Sequence, residues 1–320
     1  MTSAASPRSR PTQAFKLTPT DEEMLEACAR YQYMTVEHWV RYFEDDGKRR
    51  YLQRRSKALA DHGYFIPLYI APLGGRGRGR FIFTLGATGR DYATSLGLRV
   101  PKRFRPIDLK TLTPRHLAHS EDLTDVLISC DLVTRRETRI TLVEMLHERF
   151  LFEQRCQVPV LITDSVTGAI RQEPKEVTSD AFVKVNGQVG NARRSFPILI
   201  EVDRDTEQQL AFREKIAKLA AFGTSEIYAR LYQARSFNVA VLVQAPRRNP
   251  LDRLAEVLVW TERELTQRRL EHDAVSFSFC ALDPETTAPA DLWLGPHWLH
   301  PFRSRPHALI DLSEHPEGGL

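Results

Sequence analysis

Residues 47–59, Gly-Lys-Arg-Arg-Tyr-Leu-Gln-Arg-Arg-Ser-Lys-Ala-Leu, constrain the fold more than any other stretch of this 320-residue chain. Tyr51, Leu52, Ala58 and Leu59 fall on one side at helical spacing, while Lys48, Arg49, Gln53, Arg54, Arg55 and Lys57 take up the rest. Two helical patterns precede it. Residues 19–31 open at Thr18 or Thr20 with Asp21, Glu22 and Glu23 in the first turn, where acids suit the helix dipole. Their apolar side is Met24, Leu25, Ala27 and Cys28. Residues 35–44 begin at Thr35 and set Val36, Trp39, Val40 and Phe43 at i, i+3, i+4 and i+7. Gly63 is placed to end the third helix as a left-handed cap. Residues 64–70 and 80–85 favour strand, with Gly74-Gly75-Arg76-Gly77-Arg78-Gly79-Arg80 between them.

Three short helices followed by a basic hairpin is the order of a winged helix-turn-helix. Arginine and glutamine are shaped to read base edges in a major groove, and both also hold phosphates. The sequence therefore predicts DNA contacts from Lys48, Arg49, Arg50, Gln53, Arg54, Arg55 and Lys57 on the helix. Arg76, Arg78 and Arg80 are expected to lie along the backbone or in the adjacent minor groove. The glycine-rich loop lacks the GK[ST] ending of a nucleotide-binding P-loop, and it sits in a hairpin; a solvated hairpin tip is the plain alternative. Charge supports the DNA reading. Residues 1–118 hold 21 Lys and Arg against 11 Asp and Glu, a net of +10. The remainder holds 24 against 30, a net of −6, so the total of +4 hides a basic front and an acidic back.

Length predicts two domains, each with its own core. We divide the chain into a disordered tail (1–16), a winged helix (17–98), a basic linker (99–118), an α/β domain (119–302) and a flexible tail (303–320). The first 16 residues lack the apolar core of a signal peptide, and no apolar run approaches membrane-spanning length. Cys28, Cys130, Cys156 and Cys280 are scattered without a CxxC, which predicts reduced, mostly buried thiols and a cytoplasmic protein without a membrane partner.

The second half reads as α/β. Residues 121–132 are an amphipathic helix, and 139–143 a strand that runs into a helical piece at 144–152. Residues 158–163 are a strand with a turn at Thr167-Gly168. Strands at 181–185 and 196–202 are joined by a polar hairpin. A helix follows from Thr206, capped with Gln209 three residues on, to about Phe222. A strand at 238–244, a long amphipathic helix at 251–270 and a strand at 274–281 complete the domain. The pattern at 251–270 suits either a homodimer face or burial against the sheet. Asp180 starts one strand, and Glu201 and Asp203 lie two apart on the next, so both point to one face. The hairpin brings Asp180 beside Glu201. Converging carboxylates suit Mg²⁺ or Mn²⁺, and Lys215 on the following helix can reach the same pocket. The plain reading of Glu201, Asp203 and Asp205 is that of strand-end and capping acids paired with Arg204 or Arg213. His297, His300 and His307 suit a core or surface role better than a metal site, His119 a packing or capping one, and Trp260, Trp293 and Trp298 the core.

Ser179-Asp180-Ala181-Phe182, then Phe196-Pro197-Ile198-Leu199-Ile200-Glu201-Val202-Asp203-Arg204-Asp205-Thr206-Glu207, then Lys215 and Phe222, resembles the replication-relaxation family. These are bacterial proteins, often plasmid- or mobile-element-borne, with an N-terminal winged helix; the resemblance runs from about Leu17 to Trp298. It implies a nucleoid- or plasmid-associated protein that binds double-stranded DNA and works with a replication or relaxase protein. It implies no assigned catalytic activity. The second domain is also similar to the restriction-endonuclease-like fold, whose core runs α-β-β-β-α-β with the motif PD…(D/E)xK. Asp180 matches the first acid and Glu201 the second, but Asp203 stands where the lysine belongs. Lys215 or Lys218 would have to substitute from the helix. The expectation is a DNA-binding accessory factor with an inactive or divergent nuclease-like domain. The competing readings are a metal-dependent DNA endonuclease, with Asp180, Glu201, Asp203 and Lys215 as its site, and a winged-helix repressor.

Overall fold

The computed structural model describes residues 15–70, 79–102, 112–163 and 170–314. Helix α1 (Pro19–Tyr31) begins with a capping box: the Asp21 N–H donates to Thr18 Oγ1, and the Thr18 N–H donates to the Asp21 carboxylate at 2.7 Å. Helix α2 (Val36–Phe43) repeats the device with Thr35 and His38. Helix α3 (Arg49–Asp61) buries Leu52, Ser56 and Leu59 and turns its basic side outward. Gly63 follows at φ 77°, the left-handed cap expected of it. Strands β1 (Phe65–Ile70) and β2 (Arg80–Leu85) pair antiparallel, with Tyr69 opposite Phe81. Where the helices meet the hairpin, Trp39 stacks on Phe65 and Phe83 meets both rings at a tilt. Helix α4 (Ala87–Ser95) closes this part of the chain.

Helix α5 (Pro114–Arg136) is the axis of the molecule: 15 of its 23 residues are buried. It packs against α1 and α2 and against the main sheet. Met24, Leu25 and Tyr31 therefore share one apolar cluster with Leu123, Leu127, Val183 and Ile200. Polar contacts tie the same seam. The Tyr31 hydroxyl donates to Asp131 at 2.9 Å, Arg41 donates to Asp125 at 2.8 Å, and Thr124 Oγ1 donates to the Tyr33 carbonyl at 2.9 Å.

The chain continues through β3 (Ile140–His147), α6 (Glu148–Leu151), β4 (Cys156–Thr163), β5 (Ile170–Val177), β6 (Ala181–Val189), β7 (Ala192–Asp203), α7 (Gln209–Gly223), α8 (Glu226–Tyr232), β8 (Asn238–Val243), α9 (Pro250–Arg268), β9 (Phe277–Cys280) and α10 (Pro289–Leu294). Five strands form a mixed sheet in the order β3-β6-β7-β8-β9, while β4 and β5 make a separate hairpin. The pairs β3–β6 and β6–β7 are antiparallel; β7–β8 and β8–β9 are parallel. Side chains alternate between two layers. Ala181, Val183, Ile198, Ile200 and Val202 join the α5 cluster. Phe182, Leu199, Val239, Val241 and Phe277 join a second cluster with Phe212 and Ile216 of α7 and Val257 of α9.

Several boundaries differ from the sequence reading. Residues 144–147 are strand, because pairing with β6 continues through a bulge at Leu142/Glu144 to His147. The helical part there is Glu148–Leu151, continued by a 3-10 turn at Phe152–Gln154. Helix α7 starts at Gln209 after a Gln208 N-cap that makes no side-chain bond, so the Thr206–Gln209 capping box does not form. Part of the basic linker is helix, since α5 begins at Pro114. Residues 303–314 are not a free tail: Leu309 and Ile310 are buried in the core, and Trp298 bridges to His307. At the other end Phe15 stacks on His62 with centroids 4.1 Å apart. Arg76 and Arg78, the linker's Arg103, Arg105 and Lys110, and the Thr167-Gly168 turn lie outside the described residues. Cys28, Cys130 and Cys280 are buried free thiols and Cys156 is half-buried. Among the described residues no helix is long and apolar enough to cross a membrane.

Candidate functional site

One edge of the sheet gathers the C-terminal ends of β3 and β7 and the N-terminal end of β6. His147 pairs with Ala181, and Ala181 with Ile200. That register sets Glu148, Asp180 and Glu201 side by side. Asp180 is fixed by the strand beside it: its Oδ2 accepts the Val202 N–H at 2.8 Å, and its own N–H donates to the Ile200 carbonyl. Its Oδ1 lies 3.3 Å from His119 Nε2, which α5 carries across the edge. Ligand atoms of His119, Glu148 and Asp180 all lie within 4.8 Å of one another. Lys215 of α7 completes the group, with Nζ 3.1 Å from Glu201 and 2.7 Å from Glu207.

The electrostatics follow from burying these groups together. Burial opposes the charge on His119, but the Asp180 carboxylate outweighs it and lifts the imidazole to about 9. Burial pushes Asp180 the other way from its neighbours, and the His119 charge prevails, holding the carboxyl well below the usual range. Glu201 is raised by burial and by the Asp180 charge. Burial, then Asp180, raises Glu148 to about 7. Burial disfavours the Lys215 ammonium, yet the charge of Glu201 leads its acidic neighbours in keeping it protonated. One oxygen of Glu148 and one of Glu201 are buried without a hydrogen-bond partner. Orphaned carboxylate oxygens are costly, and they are the atoms a cation would satisfy.

The structure thus brings Asp180, Glu201 and Lys215 together as the sequence predicts. It keeps Asp203 out. Both Asp203 oxygens accept from Arg253, at 2.7 and 3.1 Å, and the two side chains are almost wholly buried. Asp203 is an ion-pair partner of α9 instead of a cation ligand: it shares a face with Glu201, but at the last position of β7 it meets Arg253 of α9, while Glu201 meets Lys215 of α7. Asp205 likewise pairs with Arg248. Arg204 and Arg213, the partners expected for these acids, bind Asp122 and Glu264. Sequence reasoning passed over His119 as a packing residue and did not single out Glu148 as a site residue. The available signals were the spacing of His116 and His119 at i, i+3 on one helix and a glutamate directly after an apolar strand.

On the N-terminal part, Lys48, Arg49, Arg50, Gln53, Arg54 and Lys57 are exposed as expected. Lys48 pairs with Asp45 at 3.4 Å, Arg49 pairs with Glu37, and Arg54 lies over the Tyr51 ring. Arg55 differs. Its Nε donates at 2.8 Å to the fully buried Asp21, so it braces the start of α1 and is withdrawn from the basic surface. Arg80 is exposed and pairs with Glu121 of α5.

No family model, no curated protein and no solved structure matches the chain. The resemblance to replication-relaxation proteins therefore rests on the motifs quoted above.

Proposed function

We propose that this chain is a DNA-binding protein whose second half is a metal-dependent phosphodiesterase centre acting on DNA. The observation that carries the reading is the convergence of His119, Glu148, Asp180, Glu201 and Lys215 at one sheet edge, with two buried carboxylate oxygens unsatisfied. The order α5-β3-β6-β7-α7-β8, antiparallel through β7 and parallel to β8, supports a restriction-endonuclease-like α-β-β-β-α-β core. The order α1-α2-α3-β1-β2 supports the winged helix-turn-helix reading, with α3 in the major groove. A role in plasmid or mobile-element replication or mobilisation is what the family resemblance implies.

The donor set would suit Mn²⁺ or Mg²⁺: Glu148 and Asp180 offer oxygens, His119 offers an imidazole nitrogen once a cation displaces its proton, and Glu201 holds an unsatisfied oxygen at the same sheet edge. Such a cation supplies Lewis acidity toward a phosphodiester oxygen and a more acidic water. The chain supplies the rest. Lys215 holds a permanent positive charge where negative charge grows on the phosphate, and it takes the role of the lysine missing at position 203. The His119–Asp180 pair favours a second reading, a self-satisfied scaffold in an accessory factor that binds DNA without cutting it.

Calorimetric titration of Mn²⁺ into the full chain separates the two. The first reading expects one site, lost in Asp180→Asn and weakened in Glu148→Gln. Absence of binding to the wild-type chain favours the scaffold.

A further inference from the structure

A groove of about 750 Å³ opens between α3 and the β1–β2 hairpin. Arg49, Gln53 and Lys57 form one wall, and Pro67, Phe81 and Phe83 form the other. The hairpin face explains its chemistry. Phe65 and Phe83 are the buried base of that face, against Trp39. Further out, the same face carries Tyr69 and Phe81, paired across the strands and in edge contact at 5.6 Å. These two rings are 57% and 53% exposed, the most exposed aromatics among the described residues. Gly79 lies against the Tyr69 ring, close to its hydroxyl.

We infer that this groove is a binding site for an unpaired stretch of DNA, with bases stacked on Phe81 and Tyr69 and phosphates held by the α3 wall. The inference rests on the DNA-binding reading above and adds the form of DNA recognised. Two rings left in water beside a packed core are an apolar patch that marks an interaction surface. Flat π-faces stack on any base, which makes such a shelf suited to single strands of any sequence. The charge is complementary: Arg49, Lys57 and Arg80 line the groove with only Glu37 and Asp61 as acids, and Arg50 and Arg54 stand exposed on the same helix. A phosphate arriving at Arg49 exchanges for the exposed carboxylate of Glu37, which holds it in the free protein. The volume lies within the roughly 300–1,000 Å³ of sites that enclose small organic groups, enough for bases to enter.

The test is fluorescence anisotropy on the full chain in EDTA, with a labelled twenty-nucleotide oligo-dT strand and a mixed-sequence duplex. The wild type is expected to bind both. Phe81→Ala combined with Tyr69→Ala is expected to weaken oligo-dT by about tenfold or more and the duplex by less than about twofold. Phe81→Trp, which restores a ring, is expected to retain oligo-dT binding. Both positions are half in water, so loss of folding is not the expected cause of any change; circular dichroism of each variant checks it. Duplex binding without oligo-dT binding overturns this inference and leaves the DNA-binding reading standing. Equal losses on both probes overturn it too, since the rings would then serve the duplex. Binding of neither probe by the wild type overturns both.

Discussion

Glu201 and Asp203 lie two residues apart on β7, and their surroundings give them different work. Glu201 meets Lys215 with one oxygen and leaves the other unsatisfied, whereas Asp203 gives both oxygens to Arg253. Removing one partner of so buried a pair strands the other charge. Asp203→Ala is expected to cost about 3–5 kcal/mol in urea unfolding, and a cost under about 1 kcal/mol would contradict the assignment. His307 makes a prediction in pH. Its ring stacks on His300 at 3.6 Å, and Nε2 is 3.0 Å from Ser278 Oγ. Burial, then the His300 and Arg303 charges, depresses it from 6.5 to about 4. The fold keeps the ring neutral, while the unfolded chain takes up a proton below about 6.5. Its contribution to stability is complete above about 6.5 and is lost as pH falls toward about 4. Urea midpoints at pH 7 and pH 4.5 should therefore fall less in His307→Asn than in the wild type. An equal fall in both would sink the claim.

At the scale of elements, α4 packs so close to the hairpin that Gly89 leaves no room for a side chain. A Cβ there would strike the Tyr64 carbonyl oxygen. Gly89→Ala is expected to destabilise the chain by about 1–3 kcal/mol, read by urea unfolding; an unchanged midpoint would mean that α4 does not dock as described. The same helix shows why part of the fold was hidden in the sequence. It buries only Gly89 and Ala93, so it carries no apolar stripe to read. Strand β5 was hidden for a similar reason: Ile-Arg-Gln-Glu-Pro-Lys-Glu-Val interrupts its polar run with Pro174. Helices α1 and α2 were legible because Thr18 and Thr35 cap them through purely local bonds. The candidate site divides along the same line. Asp180, Glu201 and Lys215 could be read because strand parity and one following helix fix their relation. His119 and Glu148 reach the site from α5 and from the end of β3, and only the tertiary arrangement joins them. Asp203 was misplaced because its partner, Arg253, lies 50 residues away.

For the whole molecule, the basic front and the acidic back meet along α5, which touches the helices of one and the sheet of the other. Arg80 pairs with Glu121, two residues from His119. Under the proposed DNA-binding role, contacts to phosphates from the front would release counterions, so duplex affinity should fall steeply with salt. Replacing Arg50, Arg54 and Lys57 together by alanine is expected to lower the slope of log K against log salt by roughly 3; an unchanged slope would place the DNA elsewhere. The central claim concerns the sheet edge, and one measurement tests it most directly. Supercoiled plasmid is incubated with the full chain in EDTA or in Mn²⁺, and the DNA is run on a gel after the protein is removed. The account predicts nicked or linear DNA only with Mn²⁺, with the rate reduced by about 10²–10³ in Asp180→Asn and in Lys215→Met. Supercoiled DNA recovered intact from the wild-type reaction at every Mn²⁺ concentration would contradict it.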